Sequence, residues 1–176
     1  AALRLDPTNL QTRFHLALNL ETRGDWDKAQ AVMAPVLRMN PTDPLAYTRV
    51  AEMDMDLRHY EAAQTRIAQG IAIAPDSQAL VADQAALYLL QGDPQRARQW
   101  SAKLTATDGI RQQLDYSAYM QLRQFAQALS AAQAIPDSGD GLAMADKGLM
   151  IAAAAQFTGD QALARNTLAK ARDAIE

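Results

Sequence analysis

Three prolines set the frame for this chain. The hexad A-L-R-L-D-P closes at Pro7, V-L-R-M-N-P closes at Pro41 and G-I-A-I-A-P closes at Pro75, so the same punctuation returns every 34 residues. A period of this size means that one supersecondary unit is repeated. A single unit cannot bury its own apolar face, so each must pack against the next.

Two helices fit between successive prolines. Thr8 and Asn9 can cap a helix from about Leu10, in which Phe14, Leu16, Ala17 and Leu20 recur at helical spacing until Gly24 stops it. Asp25 caps a second helix with Trp26 in its first turn, which carries Ala29, Met33, Val36 and Leu37 inward and ends before Pro41. In the next period Thr42-Asp43 is followed by Pro44 at the first helical position, where its missing N–H costs nothing. Tyr47, Val50 and Ala51 line that helix; Tyr60 then stands where Trp26 did, Ala63 where Ala29 did, and Ile67 and Ile71 continue the inward face. A third period opens at Asp76-Ser77 and carries Ala85, Tyr88, the turn Gly92-Asp93-Pro94 and Ala97, with Gly109 in place of the closing proline.

Beyond Gly109 the register drifts. Tyr119, Leu122, Phe125 and Ala128 resemble a fourth helix pair, but Ala97 to Ala128 spans only 31 residues, which calls for a shortening near the junction. Pro136 to Gly141 reads as a loop, rich in turn-forming residues. A fifth pair follows, from Leu142 to Phe157, through Thr158-Gly159-Asp160, to Ala164, Leu168 and Ala171. Ala128 to Ala164 is 36 residues, which restores most of the register.

These residues resemble the tetratricopeptide repeat family. Its pattern is matched at Ala17, Ala29 and Pro41, at Tyr47, Ala51, Ala63 and Pro75, and at Ala85, Tyr88 and Ala97. The resemblance implies an all-α fold, a right-handed α-solenoid of stacked antiparallel helix pairs, in which the first (A) helices line a concave face. The expected division is one array: residues 1–7 the tail of a preceding repeat helix, 10–41, 44–75 and 78–109 three repeats, and 110–135 and 142–176 two degenerate ones.

The function implied is non-enzymatic: a scaffold or adaptor holding a protein or peptide segment in the concave groove. By the same resemblance, the groove positions are Gln11, Phe14, Leu18 and Glu21; Leu45, Thr48, Glu52 and Met55; and Ala79, Ala82, Ala86 and Leu89. The contacts expected to matter are Phe14, Leu18, Glu21, Thr48, Glu52, Met55, Ala82 and Ala86. Chaperone-adaptor members grip a C-terminal carboxylate with Lys and Asn side chains. The corresponding residues here are Phe14, Thr48 and Ala82, then Leu18, Glu52 and Ala86, which offer no such donors, and Glu52 repels a carboxylate. Bacterial arrays of this kind serve envelope assembly, secretion or pilus biogenesis. A regulatory array fused to an enzymatic or DNA-binding domain is the other reading, and open solenoid ends also admit self-association.

Other chemistry finds little footing. The net charge is −3 with the signs interspersed, so no basic patch for nucleic acid stands out. No apolar run reaches the ~18 residues of a membrane span. The chain has no cysteine and hence no disulfide or thiolate chemistry, and no cofactor fingerprint such as a Walker loop is present. His15 and His59 lack the spacing of a helical metal pair, and Asp137-Ser-Gly-Asp140 lacks the ligand spacing of a calcium loop. Glu52 and Asp56 share a helix face beside Arg49 and are expected to be solvated rather than catalytic. Met33 and Met39 are expected to fill the core, while Met55 is kept as an adaptable contact. The chain opens in mid-repeat without a methionine and without a targeting signal. It is therefore read as part of a longer protein, in a bacterial cytoplasm or envelope that the residues do not distinguish.

Overall fold

The computed structural model describes residues 9–105 and 109–175; the expected helix tail at residues 1–7 lies outside them. Among the described residues there is no strand. The chain divides into two compact units, one up to Asp83 and one from Gln84.

The first unit contains α1 (Leu10–Thr22), α2 (Trp26–Met33), α3 (Val36–Met39), α4 (Pro44–Asp56), α5 (Tyr60–Ile73) and the start of α6 (Gln78–Leu90). Asn9 and Asp43 cap α1 and α4 as expected, whereas Asp25 makes no side-chain cap bond at the start of α2 and pairs with Lys28 instead. Thr12 N–H donates to Asn9 Oδ1 at 2.7 Å, and Leu45 N–H donates to Asp43 Oδ1 at 3.0 Å with Pro44 directly behind it. Tyr47 Oη donates to the Pro41 carbonyl at 3.0 Å, tying the residue that closes one period to the first helix of the next.

The second helix of the first period is not continuous. It breaks between α2 and α3 at Ala34–Pro35, because Pro35 has no N–H for the Ala31 carbonyl. Arg13 on α1 reaches across and donates from Nη1 to the Val32 carbonyl at 2.9 Å, so a side chain supports the backbone beside the break. The core around it is Ala17, Ala29, Met33, Val36, Ala46 and Met53, with Leu37 only half-buried. Ile67 and Leu80 are fully enclosed, and Gly70 lets α5 approach Leu80 and Tyr47.

The turns between paired helices repeat a left-handed residue. Gly24 and Gly92 have φ of +76°, but Arg58, at the equivalent place, is held at φ +60°. A side chain in that region costs about 1–2 kcal/mol, part of which glycine returns through its greater freedom when unfolded. Arg58→Gly should therefore raise stability by about 0.5 kcal/mol, read as a higher urea midpoint; a lower midpoint would mean that the Arg58 side chain contributes more than its backbone costs.

The second unit contains the rest of α6, then α7 (Pro94–Ser101), α8 (Ile110–Gln121), α9 (Phe125–Gln133), α10 (Gly141–Thr158) and α11 (Gln161–Asp173). Asp93, Asp140 and Asp160 accept from the first-turn amides of Arg96, Leu142 and Leu163 and so start α7, α10 and α11. The lost register falls after Ala97, where α7 is only 8 residues against the 14 of α5. Interior positions are mostly alanine, including Ala97, Ala118, Ala128, Ala152, Ala155 and Ala164. No helix among the described residues is long and apolar enough to cross a membrane.

Candidate functional site

In the first unit α4 lies between α1 and the start of α6, and two of the expected residues, Phe14 of α1 and Glu52 of α4, meet at Arg49. The Arg49 guanidinium lies over the Phe14 ring, 4.1 Å from its centroid, and Arg49 Nη1 donates to Glu52 Oε2 at 2.8 Å. A cation held by a ring on one side and a carboxylate on the other has little freedom left. Around this clamp a cavity of about 290 Å³ is lined by Leu10, Gln11, Phe14, His15, Leu45 and Arg49. Leu18 and Leu45 are 45% and 48% exposed.

Thr48 and Met55 sit differently from their neighbours. They are 4% and 8% exposed, because a middle helix has a packed helix on either side. Ala82 is half-buried on α6 in the first unit, and Ala86 is half-buried on the part of α6 that belongs to the second. Met33 is buried, in keeping with core filling, whereas Trp26 stays 40% exposed.

The electrostatics of this face are set by carboxylates. Burial, and then the charges of Asp56 and Glu52, hold the Glu21 carboxyl above its ordinary value, and burial raises Asp56 as well. Asp83 on α6 is the extreme case. Burial first, and Glu52 second, push it up to about 7, against the opposing pull of Arg49 and the Thr48 hydroxyl. It is 8% exposed, and neither Asp83 Oδ2 nor Thr48 Oγ1 has a close hydrogen-bond partner.

Asp83 was absent from the residues expected at the site. A signal for it exists in the sequence: His15, Arg49 and Asp83 are spaced by 34 residues, so one groove-edge position carries an ionisable group in each of three periods. No group of His, Cys, Asp and Glu among the described residues is arranged to hold a metal ion. In the second unit, Asp137 of the Pro136–Gly141 loop accepts from Lys147 Nζ at 2.8 Å, so its oxygen serves a turn contact.

A second cavity of about 410 Å³ opens on the other side of α4, lined by Met33, Ala34, Leu37, Val50, Met53, Asp54 and Arg66 among others. Burial raises the Asp54 carboxyl there, with Arg66 and His59 opposing, and Arg66 Nε stands 3.9 Å from Asp54 Oδ2.

No protein-family model matches the chain, and no curated protein is similar to it in sequence. Solved structures do share its fold. PilW, a widely conserved type IV pilus biogenesis factor, matches with a TM-score of 0.79 at 18% identity over 94% of this chain and 77% of PilW. MamA from Desulfovibrio magneticus RS-1 gives 0.68 at 15% identity, over 93% of each chain. YrrB, a tetratricopeptide protein with an unusual peptide-binding site, gives 0.60 at 15% identity, over 98% of this chain and 90% of YrrB. The fold is thus that of tetratricopeptide solenoids: all-α and built from helix pairs.

Proposed function

We propose that this chain is a non-enzymatic protein-interaction module whose first unit takes a segment of a partner protein on its A-helix face. The observation that carries this reading is the cavity beside the Phe14–Arg49–Glu52 clamp, lined by Leu10 of α1 and the exposed Leu45 of α4. Side chains fixed by packing and ion pairing need little reordering on binding, so a modest apolar contact area goes further. Phe14, Leu18, Glu21 and Glu52 are the proposed direct contacts, with Ala82 at the edge and Thr48 and Met55 shaping the floor. The setting to test first is a bacterial envelope assembly, in keeping with the likeness to a pilus biogenesis factor.

The test uses exposed positions, since a charge at buried Met55 would report only on folding. Leu18→Arg with Leu45→Arg should leave the far-ultraviolet circular dichroism spectrum unchanged and weaken capture of the native partner by about tenfold or more. Undiminished capture of that partner by the double variant would remove the A-helix face as its site.

A further inference from the structure

We infer that Thr48, Glu52 and Asp83 form a receptor for one cationic side chain, the ammonium of a lysine or the guanidinium of an arginine carried by the partner segment. This rests on the interaction-module reading and specifies its ligand chemistry.

The first observation is a pair of unmet polar atoms. Asp83 Oδ2 and Thr48 Oγ1 come from neighbouring helices, belong to residues 8% and 4% exposed, and lack a hydrogen bond of normal length, although the Thr48 hydroxyl is near enough to Asp83 to favour its charged form. A buried carboxylate oxygen without a donor is costly to keep, and such groups concentrate where a ligand completes them. The second observation is an imbalance of charge. Glu21, Glu52, Asp56 and Asp83 act on this stretch of the face, and Arg49 is the cation set against Asp83 and Glu52. Arg49 is already engaged by the Phe14 ring and by Glu52 at 2.8 Å, which leaves the Asp83 oxygen unmatched.

These two observations select the ligand. An anion is repelled by every carboxylate named. A neutral hydrogen-bonding group could satisfy Thr48 but would leave the repulsion between Glu52 and Asp83 in place. A cation with N–H donors answers both needs, since it donates to Asp83 and to the Thr48 oxygen while offsetting Glu52. On α6, exposed Ala79 and half-buried Ala82 precede Asp83 and carry only methyl groups. A lysine stem could lie along such a surface with its head at the acids.

The probe is an array of randomised decapeptides with a fixed central lysine, arginine, norleucine or glutamate, with affinities of the best binders measured by fluorescence anisotropy. Lysine- or arginine-centred pools should bind at least about tenfold better than norleucine-centred ones. Asp83→Asn should erase that preference while the protein stays folded, and Thr48→Val should weaken it. The groups facing Asp83 are Thr48, Arg49 and Glu52 of α4, with Glu21 of α1 and Asp56 of α4 beyond Glu52. Because Asp83 must be ionised to pair, the lysine preference should grow from about pH 6 to about pH 8 in wild type and stay flat in Asp83→Asn. Equal binding of norleucine and lysine pools, or a lysine preference untouched by Asp83→Asn, overturns the cation receptor and leaves the A-helix site standing. Failure of every pool to bind overturns both.

Discussion

Asp83→Asn will be more stable than wild type at about pH 8 by roughly 2–4 kcal/mol and nearly equal to it at about pH 4. The carboxyl has its folded value raised to about 7 from 3.8, chiefly by burial. A raised acid binds its proton more tightly in the folded than in the unfolded chain. Its contribution is therefore fully present below about pH 4 and is lost as pH climbs through about 7. The rise from 3.8 to about 7, at about 1.4 kcal/mol for each pH unit, sets the upper end of the range. Solvent penetration and local adjustment set the lower. Asparagine keeps the shape and never ionises, so it escapes the loss. Urea unfolding at about pH 4, 6 and 8 measures the effect. If Asp83→Asn proves less stable at the alkaline end, the carboxylate has a partner after all, and the reading of it as an unmet acid fails. Paired with the peptide experiment the result is sharper, since one substitution should gain stability and lose cation recognition together.

Gly70→Val should cost about 3 kcal/mol, although glycine replacement in an open helix ordinarily stabilises. Helix propensity alone argues the other way, because glycine is the poorest helix former after proline and Gly70→Ala in an open helix gains about 1 kcal/mol. Here a Cβ at position 70 would stand 2.8 and 2.9 Å from the two methyls of Leu80 and 2.9 Å from Tyr47 Cβ. Leu80 is fully enclosed, so its methyls have nowhere to turn, and Tyr47 Cβ moves only with its backbone. Gly70→Ala is the informative companion: a gain in thermal midpoint would show that α5 can retreat, and a loss would show that the close approach is fixed.

The sequence carried the helix pairs well and the site unevenly. Prolines, caps and glycine turns are local signals, so Asn9, Asp43-Pro44 and Gly92 mark helix starts and stops wherever the helices later pack. Pro35 was an equally local signal, yet it broke a helix that the apolar spacing of Ala29, Met33, Val36 and Leu37 makes continuous. Burial is another matter, because it depends on what lies beside a helix. Leu18 and Met55 were expected to share one face, but α1 leaves Leu18 open while α4, with α1 and α6 against it, encloses Met55. Asp83 was missed for the same reason. An aspartate in a helix is expected in solvent, and only the proximity of Thr48, Arg49 and Glu52 makes it an interior acid.

The alanine-lined interior has a consequence at the level of the gene. Every alanine codon begins GC, and single-base changes within it yield valine, threonine, serine, proline, glycine, aspartate or glutamate. At enclosed positions such as Ala51, Ala63, Ala85, Ala118 and Ala128 each of these enlarges the side chain, adds a polar group or weakens the helix. A core of leucines can drift by one base to isoleucine, valine or methionine and keep its character. This core has no such neighbours, so random single-base mutation of its coding sequence should inactivate the protein from inside far more often than its modest side-chain volumes suggest.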